Sequence, residues 1–234
     1  MRYWIVMPAA GAGRRFGSAK QYALLGGRTV LDTALQIFID DPECHGGCVL
    51  LANDDPHRQQ LARQLGQRFV LADGGRERAH SVYNGLTTLA ARAKADDWVL
   101  VHDAVRPALS RSDLTRLLQQ GAADPIGALL AVPVADTVKQ LQPVAAEDRH
   151  RSGATLPRES LWLAQTPQMF RYAPLRAALE QAAAAGRAPT DESQAMEWRG
   201  HAPLLVQAHD ANLKITTATD LALLAEILRR RAQP

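Results

Sequence analysis

Along the first half of the chain, short unbroken apolar runs alternate with segments whose apolar residues recur at helical spacing. Residues 3–7, 48–52, 69–72, 98–101 and 126–132 read as strands. Between them, 29–38, 56–65, 79–93 and a stretch from 110 or 112 to 121 read as helices. Thr29 is placed to cap the first of these helices and Ser110 or Ser112 the last. Because the strands are continuously apolar, both sheet faces must be covered, which predicts a parallel sheet between two helix layers. A length of 234 residues with 47% hydrophobic content suits one domain over 1–234.

The pattern breaks between Pro133 and Gln165. Val134 to Leu141 looks like a two-faced extended strand, a polar stretch from Glu147 to Gly153 follows, and 156–163 returns as a second strand. Residues 134–164 thus predict a protruding β-arm with few core residues of its own. Such an arm finds burial against another chain, so a homodimer is expected. Helices over 172–185, 191–198 and 220–231, and a strand over 204–207, complete the chain.

A net charge of +3 is too small to imply nucleic-acid binding, and no aromatics interleave with basic residues as a stacking platform requires. The basic tail Arg229-Arg230-Arg231 suits a helix C-terminus. No apolar run approaches the ~20 residues of a membrane span. The chain enters a strand at once, leaving no room for a signal peptide, so a cytoplasmic protein is expected. Cys44 and Cys48 flank His45 without a second ligand pair at zinc spacing, and read as reduced structural thiols.

The first strand empties directly into Pro8-Ala9-Ala10-Gly11-Ala12-Gly13-Arg14-Arg15-Phe16-Gly17, with Lys20 just behind. Small residues let backbone N–H groups approach phosphate oxygens, and Arg15 and Lys20 supply positive charge. The loop lacks the Gly-Lys-Ser/Thr of the Walker pattern. It also misses the dinucleotide fingerprint, whose third glycine position holds Phe16. Other strand ends carry Asp103 with Arg106, and Thr137 with Lys139. In a parallel sheet these ends share one edge and should converge. A carboxylate among cations suits a divalent metal riding on a polyphosphate, making Asp103 a candidate ligand for Mg²⁺ or another divalent cation. Read alone, Asp103 is also compatible with a turn aspartate, and Lys139 with a solvated strand residue.

Eight segments recur in an order that resembles one family. They are the loop itself, Lys20-Gln21-Tyr22, Gly74-Gly75-x-Glu77-Arg78-x-x-Ser81-Val82, Val101-His102-Asp103-Ala104-x-Arg106-Pro107, Asp136-Thr137-Val138-Lys139, Gln165-Thr166-Pro167-Gln168-x-Phe170, Thr190-Asp191-Glu192 and Asn212-Leu213-Lys214-Ile215. Together they are similar to the 2-C-methyl-D-erythritol 4-phosphate cytidylyltransferases across nearly the whole chain. The resemblance implies a Rossmann-like α/β nucleotidyltransferase domain. Its reaction would be CTP plus the polyol phosphate giving a CDP-alcohol and pyrophosphate, on the non-mevalonate route to isoprenoids. By the same resemblance, Arg15 and Lys20 grip the triphosphate, while Arg158 and Lys214 hold the incoming phosphate. Ala10, Gly11, Ala12 and Gly13 would contribute to CTP binding, and Gly75 and Ser81 would read the cytosine. Asp103, Ala104, Arg106, Thr137, Thr166 and Thr190 would complete the substrate site. Arg158 is expected on the arm's return strand, reaching into a neighbouring subunit. Arg76 and His80 depart from the family's usual acids, one of which would pair with Lys20; Glu77 is a candidate substitute. A transferase for another polyol phosphate, such as ribitol 5-phosphate, and a catalytically silent nucleotide-binding scaffold are the alternatives.

Overall fold

Side chains of β1 (Tyr3–Pro8) alternate between two cores, and that alternation organises the molecule. Tyr3, Ile5 and Met7 enter one core and Trp4 and Val6 the other. The computed structural model describes residues 1–11, 13, 19–142 and 150–231. After β1, a small hairpin of β2 (Leu24–Leu25) and β3 (Arg28–Thr29) leads into α1 (Val30–Ile39), β4 (Cys44–Leu51), α2 (Arg58–Leu65) and β5 (Phe69–Asp73). Then come α3 (Arg78–Leu89), β6 (Trp98–Val101), α4 (Arg111–Ala123), β7 (Gly127–Pro133), β8 (Val138–Gln142) and β9 (Arg151–Leu156). The described chain closes with β10 (Trp162–Arg171), α5 (Tyr172–Ala184), α6 (Glu192–Glu197), β11 (Leu204–Gln207) and α7 (Ala218–Arg231).

Seven described strands form one sheet in the order β11-β7-β10-β6-β1-β4-β5. Its paired strands are parallel except at β10, which runs antiparallel to both β6 and β7. Leu31, Leu35 and Phe38 of α1 and Leu114 and Leu117 of α4 cover one face. Val82, Leu86 and Leu89 of α3 with Leu175 and Leu179 of α5 cover the other. Full burial of each such side chain is worth about 1.5–3 kcal/mol, which is why strands apolar on both sides demand both layers. A smaller cluster joins Leu25 of the hairpin to Ile215 and to Leu224 of α7.

The helix starts follow their capping chemistry. Thr29 Oγ1 accepts the Asp32 N–H at 3.0 Å, and Ser110, rather than Ser112, accepts the Asp113 N–H at 3.1 Å. Cys44 and Cys48 are free, buried thiols on β4.

The arm is shorter than expected, and its return strand is β9 rather than 156–163. Trp162, Leu163 and Ala164 instead pair with Pro133, Val132 and Ala131 inside the main sheet. They begin β10, a strand whose central place the sequence does not announce, because Pro167 interrupts it. Proline brings no N–H to a ladder. Here the register is broken between Ala164 and Gln168, and Pro167 occupies that break. The arm proper, β8 and β9, forms a separate two-stranded sheet with mostly exposed residues.

Candidate active site

β1 lies between β4 and β6, so the chain leaves the carboxyl ends of β1 and β6 in different directions and opens a crevice between them. A cavity of about 560 Å³ fills that crevice, within the size range of small-molecule sites. Pro8, Ala9, Ala10 and Gly11 form one wall, and Asp103, Ala104 and Val105 another. Gly75, Arg76, Glu77, Arg78 and Ser81 contribute a third side, while Lys20 and Lys214 bring cations from distant parts of the sequence.

The small residues around this cavity are dictated by close approach. A Cβ on Gly74 would lie 2.3 Å from the Ala10 Cβ, and one on Gly75 would lie 2.3 Å from the His80 Cβ. The Gly75 N–H donates to Ser81 Oγ at 2.9 Å, and that hydroxyl donates to the Glu77 carbonyl oxygen at 3.2 Å. The loop is thereby pinned to the first turn of α3. On the opposite wall, Gln21 Nε2 donates to the Ala9 carbonyl oxygen at 2.9 Å. Lys20 Nζ donates to the Ile215 carbonyl oxygen at 2.6 Å, so it is held beside Lys214 although the two lie at opposite ends of the chain.

Asp103 sits at the electrostatic centre. Its Oδ1 accepts from Arg78 Nε at 2.9 Å, and its Oδ2 is 2.8 Å from Lys214 Nζ and 3.7 Å from Arg106 Nε. Burial alone would raise this carboxyl, but Arg78 and Lys214 overcome it and hold Asp103 well below the usual carboxylate range. Arg106 in turn donates to the Asn212 carbonyl oxygen at 2.7 Å, two residues before Lys214.

Behind Asp103 runs a buried chain of neutral hydrogen bonds. The Asp103 N–H donates to Thr166 Oγ1 at 3.0 Å, and that hydroxyl lies 3.0 Å from His102 Nδ1. His102 Nε2 lies 3.0 Å from the Arg106 carbonyl oxygen. With Thr166 donating to Nδ1 and Nε2–H donating to the carbonyl, each proton has one acceptor. Burial pushes the His102 pKa down to about 4, which keeps this tautomer neutral.

Of the residues the sequence nominates, Ala10, Gly11, Lys20, Gly75, Ser81, Asp103, Ala104 and Lys214 line one cavity. Arg106 and Thr166 contact Asp103 directly. Gly13, at φ 63°, is not among the lining residues, and Ala12 and Arg15 lie outside the described residues. Thr137 and Arg158 line a separate hollow of about 370 Å³ at the base of the arm. Arg158 occupies a 3-10 turn after β9, not a strand, and donates to the Ala135 carbonyl oxygen. Lys139 is engaged across the arm with Thr155. Thr190, exposed, donates its N–H to Gln194 near the start of α6. The expected convergence of strand ends therefore holds for β1 and β6 but not for the Thr137 segment, which the chain carries out along the arm.

Sequence reasoning named Arg78 and Glu192 within their motifs but gave neither a role. The Arg78 guanidinium donates to both oxygens of Glu192, at 2.7 and 3.0 Å, while its Nε serves Asp103. One signal was legible: a cation in the first turn of a helix opposes the helix dipole and needs carboxylates nearby. Which carboxylates could not be read, since they come from β6 and α6. Both Asp103 oxygens are committed to cations, so Asp103 does not fit as a metal ligand in this arrangement. Among the described residues, no group of three His, Cys, Asp or Glu side chains gathers as a metal site.

The family model described as 2-C-methyl-D-erythritol 4-phosphate cytidylyltransferase matches residues 3–230. A protein of that name from Pseudomonas aeruginosa is 50% identical over 223 residues, covering 94% of this chain and 93% of its own length. Its Pseudomonas fluorescens counterpart is 47% identical over 98% of this chain and 95% of its own. A crystal structure of 4-diphosphocytidyl-2C-methyl-D-erythritol synthase superposes with a TM-score of 0.83 at 35% identity, covering 97% of this chain and 99% of the other. The Francisella tularensis 2-C-methyl-D-erythritol 4-phosphate cytidylyltransferase gives 0.80 at 34% identity, covering 97% and 100%.

Proposed function

Because the chain belongs to the 2-C-methyl-D-erythritol 4-phosphate cytidylyltransferase family, we propose that it transfers a cytidylyl group from CTP to that polyol phosphate. The products are 4-diphosphocytidyl-2-C-methyl-D-erythritol and pyrophosphate, in isoprenoid precursor synthesis. A phosphate oxygen of the polyol attacks the α-phosphorus of CTP, and the bond to the bridging oxygen breaks as pyrophosphate leaves with the electron pair. A phosphate monoester is nucleophilic enough near neutral pH, so the protein's task is to bring two anions together and neutralise their charge. The observation that carries this reading is the meeting of Lys20 and Lys214 in one cavity, fixed to each other through Ile215. Lys20 faces the phosphate-loop side and serves the departing pyrophosphate; Lys214, oriented by Asp103, serves the incoming phosphate. Mg²⁺ enters with the triphosphate as part of the substrate.

A second copy of the chain supplies Arg158 and Thr137 to this cavity. In support, both sit at the arm base outside their own chain's cavity, and Leu141 of the arm and Trp162 and Leu163 just after it are exposed apolar residues. We also assign the protein to the cytoplasm, where buried thiols such as Cys44 and Cys48 stay reduced. No described helix is long and apolar enough to cross a membrane.

Pyrophosphate release from CTP, measured side by side with 2-C-methyl-D-erythritol 4-phosphate and ribitol 5-phosphate, tests the reaction. Preference for the methylerythritol substrate supports it. Preference for ribitol 5-phosphate changes the substrate, and no release with either makes the protein a nucleotide-binding scaffold.

A further inference from the structure

We propose that Arg78 is a positioning residue that holds the nucleotide side and the polyol-phosphate side of the cavity in register by aiming Asp103 at Lys214. The inference rests on the cytidylyl-transfer reading and assigns that reaction a residue it has not included so far. Arg78 opens α3, directly between Glu77 and the Ser81 hydroxyl that pins the Gly75 loop. Its guanidinium is mostly buried and grips Glu192 with two N–H groups. A third N–H fixes Asp103 Oδ1, which leaves Oδ2 turned toward Lys214 at 2.8 Å. One planar group thus sets the angle of the carboxylate that sets the position of the phosphate-binding ammonium.

Stability does not account for this placement. A cation at a helix N-terminus opposes the dipole, and a buried ion pair is often no better than apolar packing. What the arrangement does supply is a rigid link between α3, β6, α6 and the segment carrying Lys214. Lysine cannot replace it, since an ammonium lacks the planar fork that reaches Glu192 bidentately and Asp103 together.

The test uses Arg78→Lys alone and in a Lys214→Ala background, with KM for both substrates and calorimetric binding of inorganic phosphate and of CTP. Arg78→Lys should raise the polyol-phosphate KM and weaken phosphate binding by about tenfold, with CTP changing far less; in the Lys214→Ala background this effect should disappear, as coupled residues require. An undiminished effect in that background, or equal weakening of CTP and phosphate, overturns the proposal. If Arg78→Lys fails to fold, Glu192→Gln carries the same test, with a smaller shift in the same direction expected and no shift overturning it. A wild-type protein without turnover would count against the reaction alone, because phosphate and CTP binding still read the two sides separately.

Discussion

On the proposed reaction, single side chains at the crevice are expected to divide the work between them. Lys214→Ala should lower kcat/KM by roughly 10²–10³, chiefly through the polyol phosphate, by analogy with loss of one preorganised oxyanion donor. Lys20→Ala should depress turnover by a similar factor; steady-state kinetics with each substrate varied would contradict this division if both variants affected CTP alone. His102 adds a pH dependence of stability. Its pKa is about 4 in the folded protein against an ordinary 6.5, so between those values the unfolded chain binds more protons. Stability should therefore fall as pH drops through that window, by at most about 3 kcal/mol. Urea midpoints at pH 7 and pH 5 check this: the difference should shrink in His102→Gln, and an unchanged difference would mean that another group titrates.

At the level of elements, α4 does more than cover the sheet. Asp113, fully buried in its first turn, accepts the N–H groups of His209 and Asp210 at 3.1 and 3.0 Å and pairs with Arg116. It thus anchors the loop after β11 that leads to Asn212 and Lys214. Removing the carboxylate takes the acceptor from two part-buried backbone N–H groups, so Asp113→Ala should cost about 1–3 kcal/mol. Thermal unfolding would show the loss, and a variant as stable as wild type would show that water satisfies those groups. Helices such as α1 and α4 were legible in the sequence because spacing and caps are local. β10 was not, because its strand character comes from two neighbours that accommodate Pro167 at a break in the ladder.

For the molecule as a whole, the arm is the element left without a core. Replacing residues 138–156 by a short flexible linker should leave the main sheet folded, convert a dimer to a monomer by light scattering, and abolish transfer while sparing CTP binding. A truncated protein with unchanged mass would show that the arm does not hold two copies together.

By itself the sequence determined the layered α/β architecture and the family, because apolar runs, helical spacing, capping and ordered motifs are properties of neighbouring residues. Tertiary structure alone decided which charges meet. Lys20 reaches Ile215, Arg78 joins Asp103 to Glu192, and Thr137 and Arg158 leave the cavity for the arm. Those pairings depend on strand order and on the antiparallel course of β10, and Coulomb interactions act between neighbours in space, whatever their separation along the chain.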